Sequence, residues 1–252
     1  MIFYDYIDGL LAILERIKRE QADNIKRAGQ IISESLAAGG IVHTFGTGHS
    51  HIIAEEIFFR AGGIAAINPI LDERLIFLKG ALESTRAERE SGLARKLIEL
   101  ENVKSEDASI IISNSGRNAA PVEMALEMKD RGVSVIAITN LEQSGSAESR
   151  HSSGKKLYEI ADVSVDNCVP TGDALIALDG LNSRTGAAST VAGAAIAHSI
   201  IIESLNELLK SGQPVPVLTS ANVPGTTAET IREVLSRYRD RIRYLDLETE
   251  FE

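Results

Sequence analysis

Three observations in the chain predict a doubly wound α/β domain built on a parallel sheet. Short β-branched segments recur, and each is followed by a glycine-bearing or polar turn and then by a helical stretch. That alternation implies βαβ crossovers, because parallel strands can be joined only by a long connection, usually a helix. The two most elaborate turns, Gly46-Thr47-Gly48 and the run 113–118, both fall where an apolar strand hands over to a helix. The composition, 44% hydrophobic and 25% charged over 252 residues, is that of a globule able to bury roughly 70% of its extended-chain surface.

The elements follow in order. Phe3, Tyr6, Ile7, Leu10, Leu11, Leu14 and Ile17 recur at three- and four-residue steps, and Ile25, Ala28, Ile31, Ile32 and Leu36 continue the pattern up to Gly39-Gly40. This is an amphipathic helix, or two. Unbroken, it would run on the order of 50 Å, longer than one domain's core covers. The segment 1–37 is therefore expected to join copies of the chain as a dimer or tetramer. A strand at 41–45, the loop Gly46-Thr47-Gly48-His49-Ser50 and a helix through Arg60 come next. The pattern repeats with a strand at 108–112, the loop Ser113-Asn114-Ser115-Gly116-Arg117-Asn118 and a helix through Arg131 closed by Gly132. Residues 64–67, 133–139 and 163–165 add short apolar strands. The domain is expected to span 38–210.

Two stretches lie outside this alternation. Residues 71–100 carry Asp72, Glu73, Arg74 and a charged cluster at 86–90, and read as an exposed helical insertion whose length suits a flap or lid. Residues 211–252 form a C-terminal unit, in which 213–225 holds three prolines and reads as a loop. A final helix is expected at 226–245, capped by Thr226 or Thr227 with Glu229 in its first turn.

Charge and composition exclude several functions. The 26 Lys+Arg and 36 Asp+Glu give a net charge of −10, and no basic run appears. Phosphate neutralisation on a nucleic acid needs clustered cations, so a nucleic-acid partner is not expected. The apolar run 191–202 is about half a bilayer span and is interrupted by His198 and Ser199, so it reads as a buried helix, not a membrane segment. Met1-Ile2-Phe3-Tyr4-Asp5 places an acid where a signal peptide would carry basic residues, and Cys168 is the one cysteine. Both features fit a cytoplasmic protein in a reducing compartment, with a structural thiol.

The first glycine loop ends a parallel strand at the carboxyl edge of the sheet, where open α/β folds bind ligands. Gly46 and Gly48 let the backbone approach an anion, the amides of Thr47 and His49 start the helix, and Ser50 adds a hydroxyl. The dinucleotide fingerprint fails, because its third glycine would fall at His51, and no Lys-Ser or Lys-Thr follows a glycine loop to make a nucleotide-binding P-loop. In the second loop Ser113, Asn114, Ser115 and Asn118 surround Gly116, with no acid before Glu123. Neutral donors at a helix start suit a sugar phosphate; capping of the helix is the plainer alternative.

The pairing of Phe45-Gly46-Thr47-Gly48-His49-Ser50 with Ile112-Ser113-Asn114-Ser115-Gly116-Arg117-Asn118 resembles the sugar isomerase (SIS) domain. The resemblance covers about 35–210 and implies a flavodoxin-like, phosphosugar-binding fold. A long N-terminal helical segment before a single such domain is most similar to phosphoheptose isomerase and its relatives. The resemblance assigns phosphate binding to Ser50, Ser113 and Ser115, and Asn118 departs from the Thr or Ser that usually closes the second loop. It further implies aldose–ketose isomerisation by a Glu on the helix after the first loop and a His on a late helix.

Isomerisation moves a proton between adjacent carbons, which needs a base and usually a second acid. Glu55 and Glu56 are the available carboxylates and His198 the late histidine. Glu55 is four residues after His51 and Glu56 four before Arg60, so both have ordinary helix-surface partners and spacing does not choose between them. His198, set among alanines and isoleucines, reads equally as a core residue. Elimination from an amino-sugar phosphate and non-catalytic sugar-phosphate sensing are the alternatives to isomerisation. No cofactor is implied. His49 and His51, two positions apart, point to different sides of a helix, so with Glu55 they are not expected to hold a metal. Arg184, in the donor-rich run 181–190, is a candidate clamp for phosphate or carboxylate.

Overall fold

The computed structural model describes residues 1–220 and 227–245. Its core is a five-stranded sheet of β1 Val42–Gly46, β2 Ile67–Ile70, β3 Ala108–Ile112, β4 Ser134–Thr139 and β5 Val163–Asp166. The order is β2-β1-β3-β4-β5, and every neighbouring pair is parallel. This is the flavodoxin-like arrangement, in which winding reverses between β1 and β3.

Alternation along each strand divides the core into two layers. Ile110, Ile112, Ile136 and Ile138 pack with residues of α1 Ile2–Glu20, α2 Ala22–Ala37, α3 Ser50–Glu56 and α9 Ser189–Lys210. Ile111, Val135 and Ala137 face the other way, onto α4 Ala81–Ala87, α5 Leu93–Ile98, α6 Ala119–Asp130 and α8 Leu157–Ile160. With both faces covered, the strands read as continuous apolar runs.

The N-terminal segment is two helices. They break at Gln21 (φ −112°, ψ 7°), whose side-chain oxygen accepts from the Asp166 amide at 3.1 Å and so ties the break to the end of β5. The break folds Ile13, Ile17, Ile25 and Ile32 onto one core. The second strand lies three residues later than 64–67. Gly63 and Ala65 spend their backbone bonds on Leu218 and Pro216, and Ile64 bridges Val217, so pairing with β1 starts only at Ala66. The helix after the first loop stops at Glu56, short of Arg60, and Phe59 turns left-handed (φ 44°).

Segment 71–100 is helical but is not a free flap. Leu75, Ala87, Leu93, Ala94, Leu97 and Ile98 are buried, and the segment forms the crossover that covers the second face of the sheet. Its outer side is open, with Leu78, Leu82 and Leu100 exposed. The run 181–190 contains the second strand of an element that periodicity does not show, a hairpin of β6 Ala174–Ile176 and β7 Thr185–Ala187. Three-residue strands are too short to show a period, and this one is held by tertiary contact: the Tyr6 hydroxyl donates to the Ala187 carbonyl at 2.8 Å. The remaining helices are α7 Leu141–Gly145 and α10 Ala228–Ser236. Thr227 caps α10, its hydroxyl accepting from the Thr230 amide at 3.3 Å. The chain then turns rather than continuing the helix to 245. Thr226 and most of the proline-bearing loop's second half lie outside the described residues. Among the described residues no helix is long and apolar enough to cross a membrane.

At the amino edge of the sheet one buried carboxylate joins four parts of the chain. Asp107, whose side chain is fully buried, accepts from the amides of Ile41 (3.0 Å) and Lys104 (2.8 Å) and from Arg241 Nη2 (2.7 and 2.8 Å). His43 Nε2 lies 3.1 Å away, and His43 Nδ1 meets the Asn68 amide at 3.0 Å. Burial alone would raise the Asp107 pKa, but the hydrogen bonds from His43, the two amides and Arg241 outweigh it and hold the group down at about 2, against an ordinary 3.8. A carboxylate whose folded pKa is depressed stabilises the fold above its unfolded pKa and loses that contribution as the pH falls through the folded value. Acid titration should therefore remove roughly 2 kcal/mol between about pH 4 and pH 2. Asp107→Asn should lower stability at neutral pH by about 3 kcal/mol, because it leaves Arg241 without its buried partner. Urea unfolding of both chains at neutral and acid pH reads both effects. A pH slope unchanged by the substitution contradicts the assignment.

Candidate functional site

Winding reverses between β1 and β3, so the helices that follow these strands, α3 and α6, leave on opposite faces and a crevice opens at the carboxyl ends. A cleft there is lined by His49 and Ser50 from the first loop, Asn114 from the second, Asn167 after β5, and Ser189 and Thr190 at the start of α9.

Two glycines shape its walls. At Gly46 a Cβ would collide with the Ser50 carbonyl oxygen, so only glycine lets the strand end lie against the first turn of α3. Gly116 has φ +58°, and a Cβ there would come within 2.7 Å of Ser144 Oγ. The Ser113 hydroxyl accepts from the Gly116 amide at 3.1 Å and closes the second loop into a tight turn. Among the described residues the amides of Ser115, Arg117 and Asn118 within that turn donate to no group, and neither the Ser50 nor the Ser115 hydroxyl has a partner. Converging, unspent N–H groups ahead of a helix form an anion-binding concavity.

Neutral amides hold the loops in place. Asn114 Oδ1 accepts from Asn167 Nδ2 at 2.7 Å, and Asn114 Nδ2 donates to Gln143 Oε1 at 3.1 Å. Asn140 accepts from the Gln143 amide at 2.7 Å and donates to the Val169 carbonyl at 2.5 Å. Asn114 thus has both ends of its amide engaged and positions the loop. Asn140 and Asn167 were not singled out from the sequence. Their signal was available, since each is the first residue after a parallel strand at the ligand-binding edge.

Other predicted residues take different places. The Thr47 hydroxyl donates to Glu88 Oε2 at 3.1 Å and so faces segment 71–100 rather than the cleft. That segment also fastens the first loop through Gly48 N–H to the Leu75 carbonyl (2.8 Å) and through Phe77, whose ring sits 4.8 Å from His49. His51 is bonded through Nδ1 to the Gly48 carbonyl and stands 3.7 Å from Glu55, an ordinary i,i+4 pair. Among the described residues no three His, Cys, Asp or Glu side chains converge as a metal would need. Asn118 does not point freely into the site: its Oδ1 accepts from Arg150 Nη1 at 2.8 Å. Arg184 donates to the carbonyls of Ala174 and Leu175 within its own hairpin and is not a ligand clamp. The start of α9 is already capped, as Asp173 accepts from the Ala188 and Ser189 amides at 3.0 and 2.7 Å. Cys168 is buried, and burial together with the charge of Asp166 pushes its thiol up to about 11. A thiol protonated at neutral pH is a structural residue.

The fold brings Glu56 and His198 together, with Oε1 and Nε2 3.4 Å apart, while Arg60 holds the same carboxylate oxygen at 2.6 Å. His198 is one-third exposed and is not a core residue. The pair lies on the flank between α3 and α9. Glu56 is six residues beyond Ser50, about 9 Å along the helix axis. Glu55 points elsewhere, to His51.

Comparison with known proteins sets this site in a family. The SIS domain model matches residues 5–140. A UPF0309 protein of Geobacillus kaustophilus is 40% identical over 232 residues, 92% of each chain. A UPF0309 protein of Listeria innocua is 39% identical over 243 residues, covering 96% of this chain and 98% of its own. Among solved structures, phosphoheptose isomerase GmhA from Neisseria gonorrhoeae superposes with a TM-score of 0.53 at 14% identity, covering 78% of this chain and 92% of that one. The Vibrio vulnificus NanR protein complexed with ManNAc-6P does so with a TM-score of 0.51 at 12% identity, over 95% of this chain and 69% of that one. At such identities the superpositions establish a shared fold. With its domain match over more than half its length and relatives aligned end to end, this chain belongs to the SIS domain family, among the UPF0309 proteins.

Proposed function

We propose that this protein binds a phosphorylated sugar in the crevice between the first and second loops. The observation that carries the reading is the second loop itself: unspent amides at Ser115, Arg117 and Asn118 beside the free hydroxyls of Ser115 and Ser50. A phosphate there would meet several N–H and O–H donors and the positive end of α6, with no carboxylate in the loop to repel it. The sugar would extend toward Thr190 and Asn167. The ligands of the structural neighbours, phosphosugars by their names, agree with this class. Titration with a panel of hexose, heptose and amino-sugar phosphates should raise the melting temperature, since a ligand at 100 times its Kd adds about 2.7 kcal/mol. Ser115→Ala should weaken that binding about tenfold by removing a charge-assisted hydrogen bond. A flat response to the whole panel excludes the ligand class.

Aldose–ketose isomerisation is the second reading, and the approach of His198 to Glu56 favours it. Glu56 would move the proton between C1 and C2, and His198 would serve the sugar oxygen, after a ligand or a second copy of the chain draws Glu56 from Arg60. With a bound phosphosugar, solvent deuterium should enter C1 or C2, and Glu56→Gln should abolish that exchange while Glu55→Gln retains it. Release of a side group instead of exchange indicates elimination, and binding with no turnover of any kind indicates a sensor.

The first helix supports assembly. Phe3, Ile7 and Leu11 form an i, i+4, i+8 stripe, each about half exposed, and a contiguous apolar stripe of this kind suits a protein contact. A dimer or tetramer would cover it. Leu11→Lys should shift the mass measured by light scattering toward the monomer; an unchanged mass removes this helix from the interface.

A further inference from the structure

Arginines are treated unevenly across this molecule. Arg74, Arg86, Arg95, Arg131 and Arg241 all stand against carboxylates. Arg89, Arg117 and Arg150 have no carboxylate partner among the described residues, in a chain of net charge −10.

These three gather at one place. Arg150 N–H donates to the Arg117 carbonyl at 2.8 Å, and its guanidinium donates to Asn118 Oδ1 at the start of α6. Arg89 follows Glu88, whose carbonyl accepts at 3.0 Å from the amide of Ala120, the second residue of the same helix. Arg117 Nε is buried without a hydrogen-bond partner among the described residues. Burial, followed by the charges of Arg117 and Arg89, lowers the Arg150 pKa, while Glu88 opposes the shift. Glu88 is the acid whose charge acts on Arg150, and its carboxylate already accepts from Thr47. Repelling cations held together with an orphaned buried donor are costly unless an anion completes them.

We propose that Arg89, Arg117 and Arg150 form a second anion subsite beside the second loop, so that the ligand is a phosphosugar carrying a further anionic group, a carboxylate or a second phosphate. The inference rests on the phosphosugar reading above and deepens it. A guanidinium presents two parallel donors matched to either group. The Arg150 contact also turns the Asn118 amide, directing its oxygen to the guanidinium and leaving Nδ2 as a donor to the phosphate. The departure at Asn118 and the arginine cluster are thus one arrangement.

The test compares glucose 6-phosphate, 6-phosphogluconate and fructose 1,6-bisphosphate by calorimetry on the full chain at fixed ionic strength. At least one doubly anionic sugar should bind about tenfold more tightly than glucose 6-phosphate. That ratio should collapse toward one in Arg89→Ala and Arg150→Ala, both of which alter exposed side chains. An advantage confined to 6-phosphogluconate assigns a carboxylate, and one confined to the bisphosphate assigns a phosphate. Equal affinity for all three sugars, or an advantage that survives in both variants, overturns the subsite while leaving the phosphosugar reading intact. Failure of all three to bind overturns the subsite, and the phosphosugar reading falls with it only if the hexose, heptose and amino-sugar phosphate panel is flat as well.

Discussion

The site depends on one topological constraint, the reversal of winding between β1 and β3. Each parallel strand must hand over to a helix, and right-handed crossovers place those helices on opposite faces when the strand order turns. At the carboxyl ends of β1 and β3 two helix starts face a common crevice. The chain fills these starts with residues that cannot repel an anion: glycines where the backbone must come close, hydroxyls, and carboxamides tied to one another. Where a third helix start lies nearby, at α9, Asp173 occupies it and removes it from competition.

The opposite edge of the sheet is built on different principles. There Asp107 is buried with His43, Arg241 and two backbone amides, and the network joins β1, β3 and the C-terminal segment. A buried carboxylate is tolerated only when such donors surround it. Charge is thus concentrated and satisfied at the amino edge, while the carboxyl edge keeps its donors unspent. The division matches the usual separation of stability from ligand binding in parallel α/β folds.

Segment 71–100 links the two. Its buried residues complete the second hydrophobic layer, and its Leu75, Phe77 and Glu88 touch the first loop. An acidic protein can hold an anion by such local means, because helix starts and nearby guanidinium groups outweigh a distant net charge screened over about 8 Å at physiological ionic strength.

The sequence by itself determined the fold class, the position of both loops and the identity of their neutral donors. Strands such as 108–112 and 133–139 are apolar throughout, and a glycine or hydroxyl marks each turn, so periodicity and turn chemistry are local properties of the chain. Tertiary structure decided everything that depends on which groups meet. It moved β2 from 64–67 to 67–70 because the 216–218 segment claimed the first residues. It built the β6–β7 hairpin from segments too short to show a period, turned Thr47 toward Glu88 and Arg184 into its own hairpin, and chose Glu56 over Glu55 as the partner of His198. Side-chain contacts across 10 positions (Arg184 to Ala174), 41 (Thr47 to Glu88) or 142 (His198 to Glu56) leave no periodic trace in a sequence, and their partners are set only when the chain has packed.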